Sequence, residues 1–559
     1  MTVATDLRYR VAIVGSPSRA DVPWTADTLA RLATMGFNTV QLNIAWGSRP
    51  ADEPLNLEDL FTGLASPADL ADDGHGPDTR PEAIARRRSD LTARIDLCRR
   101  AGMRSIFHFG APYNGGLGYH DQPLAQCVLD PATTGRYVER LVRLAAEFPG
   151  IDDLLLYTYD QDAWLCNEFG TCDRCRGVPL HHRVVPFVNA LAGEWRRANP
   201  TGRLWWEPWE LSAGQALASI DGLDPESVGL ALHSNVAEVM VALPVDRYVR
   251  NATRRAAQRG IPVILEGFLG AMSEEVEPFR ALSHPLATVR QLRALVAVEG
   301  IAGVKEYYGL DPWRDDPNLR ATTLFFGDPG ISDAAALAEL GADFGPSGQA
   351  VEQYWRTTSE AIELYPWDAS WFAREVGRSE PDHALTKAFI RGQQAHTPSW
   401  ESTRRAIFMK TDDLESDPWL LEDVQLRCGL AADALSEALA IADGLLPDLP
   451  PARRAAFVDG VGEVRALRRR ILAYAYHLRE TNLTTTMRAC RRDGVPIPSS
   501  VTAELVATLH LDAANHDDAE RVEAALEALA GDVDAFLDSF FTIPDSRPAP
   551  NGPFSMTSR

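Results

Sequence analysis

Across the first 330 or so residues, short apolar or β-branched runs alternate with amphipathic stretches. The runs are Tyr9–Val14, Thr39–Ile44, Arg104–Phe109, Asp153–Thr158, Arg203–Trp206, Val228–Leu232, Pro262–Leu265 and Gly303–Tyr308. Segments of this length and content predict buried strands. Helical periodicity lies between them, at Trp24–Met35, Arg87–Ala101, Thr133–Phe148, Val185–Ala198, Arg247–Arg259 and His284–Glu299. Four of the predicted helices meet a glycine just before the next strand: Gly36, Gly102, Gly260 and Gly300. Glycine at that point takes the left-handed conformation that turns the chain out of a helix. Repeated strand–helix units imply a parallel sheet with right-handed crossovers. Eight units within about 300 residues fit a closed (β/α)8 TIM barrel better than an open doubly wound sheet. After the first strand, Gly15-Ser-Pro-Ser-Arg-Ala does not match the Gly-x-Gly-x-x-Gly of a dinucleotide site.

From about Asp333 the strand signals vanish and alanine, leucine, arginine and glutamate dominate. Two long helices are predicted at Trp419–Leu445 and Ala452–Arg479, separated by the proline-rich Leu446–Pro451. Two more are predicted at Ala503–His510 and Ala519–Phe540. The expected architecture is α/β: a catalytic barrel over 1–332, an all-α helical C-terminal domain over 333–545 and a flexible tail over 546–559.

Charge narrows the partners. The 559-residue chain carries a net charge of -23, with an isoelectric point near 5.0. Such a surface repels phosphate backbones and anionic membranes, so neither nucleic acid nor a membrane is an expected partner. No run approaches the ~20 apolar residues of a membrane span. The N-terminus lacks a basic-then-apolar signal pattern. A cytoplasmic protein is expected, and homo-oligomerisation is left open.

In this barrel class, catalytic groups follow the C-terminal ends of the strands. Those positions are rich in carboxylates and aromatics. Carboxylates and amides bind sugar hydroxyls, and aromatic faces pack on sugar C–H faces. Glycosidic cleavage needs one carboxylic acid to protonate the leaving oxygen and a second carboxylate as nucleophile or base. The catalytic candidates are Asp160, Asp162, Glu207 and Glu266. Asp160 or Asp162, after strand four, is the first choice for the acid. Glu266, after strand seven, is the choice for nucleophile or base, and Glu207 is the challenger for either role. Candidate substrate-binding residues are Trp46, His108, Tyr113, Gln161, Trp164, Trp206, Trp209, His233, Glu306, Tyr308 and Trp313. The competing structural roles are turn caps for the aspartates, core hydrogen bonding for the histidines and packing for the tryptophans. Lys305 and Glu306 are neighbours in a strand, so one of them must point out of the barrel.

Seven cysteines, an odd number and mostly scattered, do not suggest a disulfide framework. Cys166, Cys172 and Cys175 are the exception, with ligand-like spacing for a structural zinc. His181, His182 or the distant Cys127 could complete the set. The competing role is a loop pinned by packing of reduced thiols. No cofactor is expected to be needed for catalysis.

Asn167-Glu168-Phe169-Gly170 ahead of Cys172-x-x-Cys175 resembles the loop of the family 42 β-galactosidases. That resemblance implies an acid role for Glu168 and zinc on the cysteines. The stretch Asp130-Pro131 through Phe148-Pro149, then Leu154 to Asp160, resembles the barrels of α-glucuronidases and family 20 hexosaminidases. In those, a helix ending in Phe-Pro precedes a strand that delivers an acidic residue. The following α-helical region also resembles the α-glucuronidase group. Asp160-Gln161-Asp162 stands where the hexosaminidases carry an Asp-Glu pair. The expected function is a glycoside hydrolase, exo-acting on small glycosides or oligosaccharides. The alternatives are a metal-dependent TIM-barrel hydrolase or isomerase, and a non-catalytic carbohydrate-binding barrel.

Overall fold

A computed structural model describes residues 7–17, 19–44, 53, 56–61, 80–114, 124–158, 165–166, 168–208, 211, 213–233, 247–273, 279–367, 376, 418–516 and 519–541. Eight parallel strands close into a barrel in sequence order. They are β1 (Tyr9–Ile13), β2 (Thr39–Gln41), β3 (Arg104–Gly110), β4 (Asp153–Tyr157), β5 (Leu204–Glu207), β6 (Val228–His233), β7 (Val263–Gly267) and β8 (Ile301–Glu306). β8 returns to β1, pairing Gly303 with Tyr9 and Lys305 with Val11. The crossover helices are α1 (Ala26–Thr34), α2 (Pro81–Ala101), α3 (Pro131–Glu147), α4 (Leu180–Ala198), α5 (Ala213–Ile220), α6 (Arg247–Gln258), α7 (Pro285–Val296) and α8 (Pro317–Gly327).

All eight predicted strands are present, with ends shifted by up to three residues. Local chemistry accounts for the helix ends. Thr25, Asp130 and Asp316 cap α1, α3 and α8 through their side-chain oxygens. Pro131 and Pro317 occupy the first turn, where a missing N–H costs nothing. Gly36, Gly102, Gly260 and Gly300 all carry positive φ, between 67° and 94°, as the helix-to-strand turns require.

The barrel interior is layered. Tyr9 and Trp205 meet edge to face at 5.0 Å near its floor. Space for them comes from glycines on neighbouring strands. A Cβ on Gly229 would lie 2.4 Å from the Trp205 ring, and one on Gly303 would lie 2.2 Å from the Tyr9 carbonyl oxygen. Val11, Ile106, Leu155, Ala231 and Ile264 complete this apolar cluster. Strand side chains alternate, so residues two positions further along share the inward face. Those residues are His108, Tyr157, Glu207, His233, Glu266 and Lys305, and all but His233 are buried.

Beyond the barrel run α9 (Asp333–Gly341), α10 (Gly348–Leu364), α11 (Pro418–Leu445), α12 (Pro451–Arg492), α13 (Ser499–His516), α14 (Ala519–Gly531) and α15 (Val533–Phe541). One apolar core joins the outer barrel to α10, α11 and α12 as far as Leu478. A second, smaller core starts at Leu483 and takes in α13 to α15. Two helix predictions are corrected. α12 continues 13 residues past the predicted end at Arg479. Its threonine-rich stretch stays helical because Leu483, Thr484 and Met487 bury its inner face, and the hydroxyls of Thr481, Thr484 and Thr486 are satisfied on carbonyls one turn back. The single helix predicted over Ala519–Phe540 is two, broken at Asp532, whose carboxylate accepts from the Ala535 N–H. The predicted tail, 546–559, lies outside the described residues.

Candidate active site

The inward layer at the C-terminal mouth brings four chemically active side chains together. β5 delivers Glu207, β6 His233, β7 Glu266 and β8 Lys305, with His233 in register with Glu266 and Glu266 with Lys305. His233 Nε2 lies 3.0 Å from Glu207 Oε1 and 3.3 Å from Glu266 Oε2. The Lys305 ammonium is 2.8 Å from Glu266 Oε1. Carboxylate oxygens of Glu207 and Glu266 and a His233 nitrogen all fall within 4.8 Å of one another. His108 stands on the other side of Glu207, its Nε2 3.6 Å from Oε2, beyond hydrogen-bond reach. Asn43, at the end of β2, holds the His108 backbone through bonds to both its N–H and its carbonyl.

The two carboxylates occupy different electrostatic surroundings. Burial pushes Glu207 up to about 7, opposed by the Lys305 charge. Burial also raises Glu266, and the neighbouring Glu207 adds to this, while Lys305 and His233 pull it down. Direct contact with Lys305 belongs to Glu266 alone among the two. Burial, with help from Lys305 and His233, holds His108 well below the usual imidazole range, so its ring is neutral. A carboxyl near neutrality beside an ion-paired carboxylate is the arrangement that separates an acid from a base at one pH.

The remaining candidates divide into several groups. Asp160, Gln161, Asp162, Trp164, Trp46, Trp209 and Asn167 lie outside the described residues. Three substrate-binding expectations are redirected. Glu306 faces away from the layer that holds Lys305, and its oxygens accept from the N–H groups of Leu269, Tyr308 and Gly309 at 2.7–3.0 Å. Burial lifts it to about 7 against these three donors. Trp206 also faces outward, fully buried, with its Nε1 donating to Thr158 Oγ1. Trp313 lies against α1, bonded to Thr28 Oγ1 and covered by the Arg31 guanidinium at 4.2 Å. Tyr113 and Tyr308 are buried in the loops after β3 and β8. Tyr113 donates its N–H to Tyr137 Oη. Glu168 is half-buried in the cysteine loop, its carbonyl accepting from Gly177. Sequence reasoning did not place Lys305, Tyr157 or Tyr307 in the site. Lys305 was half-legible, since either it or Glu306 had to point inward. Tyr307 packs edge-on to His233 at 4.8 Å.

Cys127, just before α3, joins Cys166, Cys172 and Cys175 from the loop after β4. All four thiols are buried, and their sulfurs lie within 4.8 Å of one another. Cys127 Sγ is 3.3 Å from Cys175 Sγ and 4.0 Å from Cys172 Sγ. Tetrahedral coordination at a Zn–S distance of about 2.3 Å places sulfurs about 3.8 Å apart, so the four residues fit that ion.

No protein-family model and no curated protein matches the chain. Among solved structures it is similar to a GH138 enzyme targeting pectin rhamnogalacturonan II. That match has 10% identity and a TM-score of 0.59, covering 91% of this chain and 62% of the other. The chain thus spans less than two thirds of that structure's length. It is also similar to a mutant O-GlcNAc hydrolase from Thermobaculum terrenum, at 11% identity and a TM-score of 0.44, over 96% of this chain and 94% of that one. A GH5-4 broad specificity endoglucanase from Clostridium acetobutylicum gives 15% identity and a TM-score of 0.35, over 58% and 98%. These neighbours are glycoside hydrolases. What the first establishes for this chain is the fold, an eight-stranded parallel barrel followed by helices.

Proposed function

We propose that the chain is a glycoside hydrolase, exo-acting on small glycosides or oligosaccharides, with Glu266 as nucleophile or general base. The supporting observation is the buried pair Glu207 and Glu266, within 4.8 Å at the barrel mouth and in unlike surroundings. Among the described residues, Glu207 is the acid that fits best, because at about 7 it keeps a proton near neutral pH. Asp160 and Asp162 remain its rivals. Carboxyl groups about 5–5.5 Å apart go with retention of anomeric configuration, and about 6.5–9.5 Å with inversion; the course written here is the retaining one. In that course Glu266 attacks the anomeric carbon while Glu207 gives its proton to the departing oxygen. Glu207 then takes a proton from the water that releases the sugar from Glu266. His108, its ring neutral, and His233 would bind hydroxyls. Among the described residues no helix is long and apolar enough to cross a membrane. Together with the acidic surface this supports a cytoplasmic enzyme acting on imported glycosides.

A metal-dependent hydrolase is the second reading, because Glu207, His233 and Glu266 could also hold a cation. Lys305 argues against it. Its ammonium lies 2.8 Å from Glu266 and would repel a metal ion there. A panel of aryl glycosides distinguishes the readings, with Glu207, Glu266, Asp160 and Asp162 each changed to the amide. The proposal expects turnover insensitive to chelators and lost in Glu266→Gln. Unimpaired turnover in all four variants would sink it, and sugar binding without turnover would leave a carbohydrate-binding barrel.

Zinc on Cys127, Cys166, Cys172 and Cys175 belongs to the same proposal, as a structural clasp. The ion would tie the loop after β3 to the loop after β4. Elemental analysis should find about one zinc per chain fewer in Cys172→Ser than in wild type. Equal zinc in both proteins would contradict the assignment.

A further inference from the structure

Far from the barrel mouth, α12 and α13 enclose a second cluster of metal-ligating side chains. His477 and Asp512 are buried, and His516 is nearly so. His477 Nε2 lies 3.3 Å from Asp512 Oδ2, and His516 Nε2 lies 3.5 Å from Asp512 Oδ1. One donor atom from each falls within 4.8 Å of the others. The imidazole rings are parallel within 7°, their centroids 6.3 Å apart on either side of the carboxylate. A charge-assisted N–H···O bond draws its atoms to about 2.7–2.9 Å. Donors that share a tetrahedral ion at about 2.0–2.1 Å stand about 3.3–3.4 Å apart, and each imidazole stands close to that distance from one oxygen of Asp512.

Position and charge point the same way. The cluster lies where the large apolar core ends, at Leu478, and the small one begins, at Leu483. The small core holds few large side chains, and a small core is the situation in which a metal clasp adds most. The Asp512 carboxylate sits between the two imidazoles, a charged donor set of the kind a divalent transition-metal ion takes. Glu480 lies one turn beyond His477 on the same helix face and is fully buried. Its carboxylate is the candidate for a fourth position.

We propose that His477, Asp512 and His516 bind a divalent transition-metal ion, zinc by donor type, that fastens α13 to α12. Imidazole with a single carboxylate suits zinc and its first-row neighbours better than calcium or magnesium. The site is separate from both the barrel carboxylates and the cysteine cluster. It does not depend on the glycosidase reading.

The test uses the untagged full chain, stripped of metal and titrated with Co²⁺. Wild type should take up an equivalent whose visible spectrum lacks thiolate-to-cobalt charge transfer. Asp512→Asn and His516→Gln should each weaken that equivalent at least a hundredfold, and Cys172→Ser should leave it intact. Zinc should raise the Tm of the stripped wild type more than that of His516→Gln. His516 is partly exposed, so its variant keeps the test decisive if Asp512→Asn fails to fold. Wild type that binds cobalt only with thiolate charge transfer would overturn the proposal, as would a His516→Gln protein that binds as wild type does.

Discussion

Two layers of one barrel, a single strand-repeat apart, are built to opposite rules. At the floor, Trp205 and Tyr9 fill the space left by Gly229 and Gly303 in an apolar cluster, and the charges of Arg104, over the Tyr9 ring, and its partner Asp153 are paired at its edge. Two residues further along, the same strands present Glu207, His233, Glu266 and Lys305, buried against one another. The floor lowers the folding free energy through shape and apolar burial. The mouth does the reverse, because ions brought out of water are seldom repaid in full by their mutual attraction. A strand needs no carboxylate at that position. The contrast therefore supports the mouth as the candidate site, since stability given up in this way is the usual cost of an active site.

The sharpest way to break this contrast is to remove charge from the mouth. Glu266→Gln should keep the fold while turnover on the best aryl glycoside falls about 10⁴-fold. Azide should restore part of the loss if Glu266 is the nucleophile. Unchanged circular dichroism with undiminished turnover would show that the layer is merely structural. At the floor the outcome should reverse. Trp205→Ala removes a fully buried indole and should lower unfolding stability by about 3–5 kcal/mol. Turnover per folded molecule should change little. A variant that unfolds normally but loses turnover would place Trp205 in the chemistry and dissolve the distinction.

The same contrast explains what could be read from the chain alone. Strand positions were legible because β-branched runs and helix-ending glycines are local signals, and the glycines do carry positive φ. Glu207 and Glu266 were legible as polar residues ending apolar runs. The direction of Lys305 and Glu306 was not, since a one-residue change in register exchanges the two faces of a strand. The surroundings of Trp206 and Trp313 were not legible for a related reason. An indole looks the same in sequence whether it faces a sugar, a helix or an arginine, and here Arg31 covers Trp313. Cys127 was named only as one of several fourth ligands. Its link to Cys175 spans 48 residues, beyond any local spacing rule. α12 ran past its predicted end because burial of Leu483, Thr484 and Met487 overrode the low helix propensity of threonine.

Two smaller effects sharpen the comparison through pH and through the outward face. Glu207 is displaced from its ordinary 4.5 to about 7, so its neutral form is the one the fold accepts. That contribution is fully present below about pH 4.5 and is lost as pH rises through about 7, reaching about 3 kcal/mol. Glu207→Gln should therefore match wild type in Tm at pH 4 and exceed it at pH 8. Its kcat/KM profile should also lose the alkaline limb near pH 7. A Tm difference that does not vary with pH would show that Glu207 is not held protonated. The smallest effect belongs to Glu306, which is as buried as Glu266 but turned the other way. Its two oxygens accept from Leu269, Tyr308 and Gly309, so the residue shapes the loops after β7 and β8. In Glu306→Gln the amide nitrogen must face a backbone N–H, or one oxygen must take all three bonds. The cost should be about 1.5–3 kcal/mol in urea unfolding, with kcat and KM nearly unchanged below the transition. A selective rise in KM at full stability would instead return Glu306 to the sugar-binding surface, and facing direction would no longer separate the two kinds of buried carboxylate.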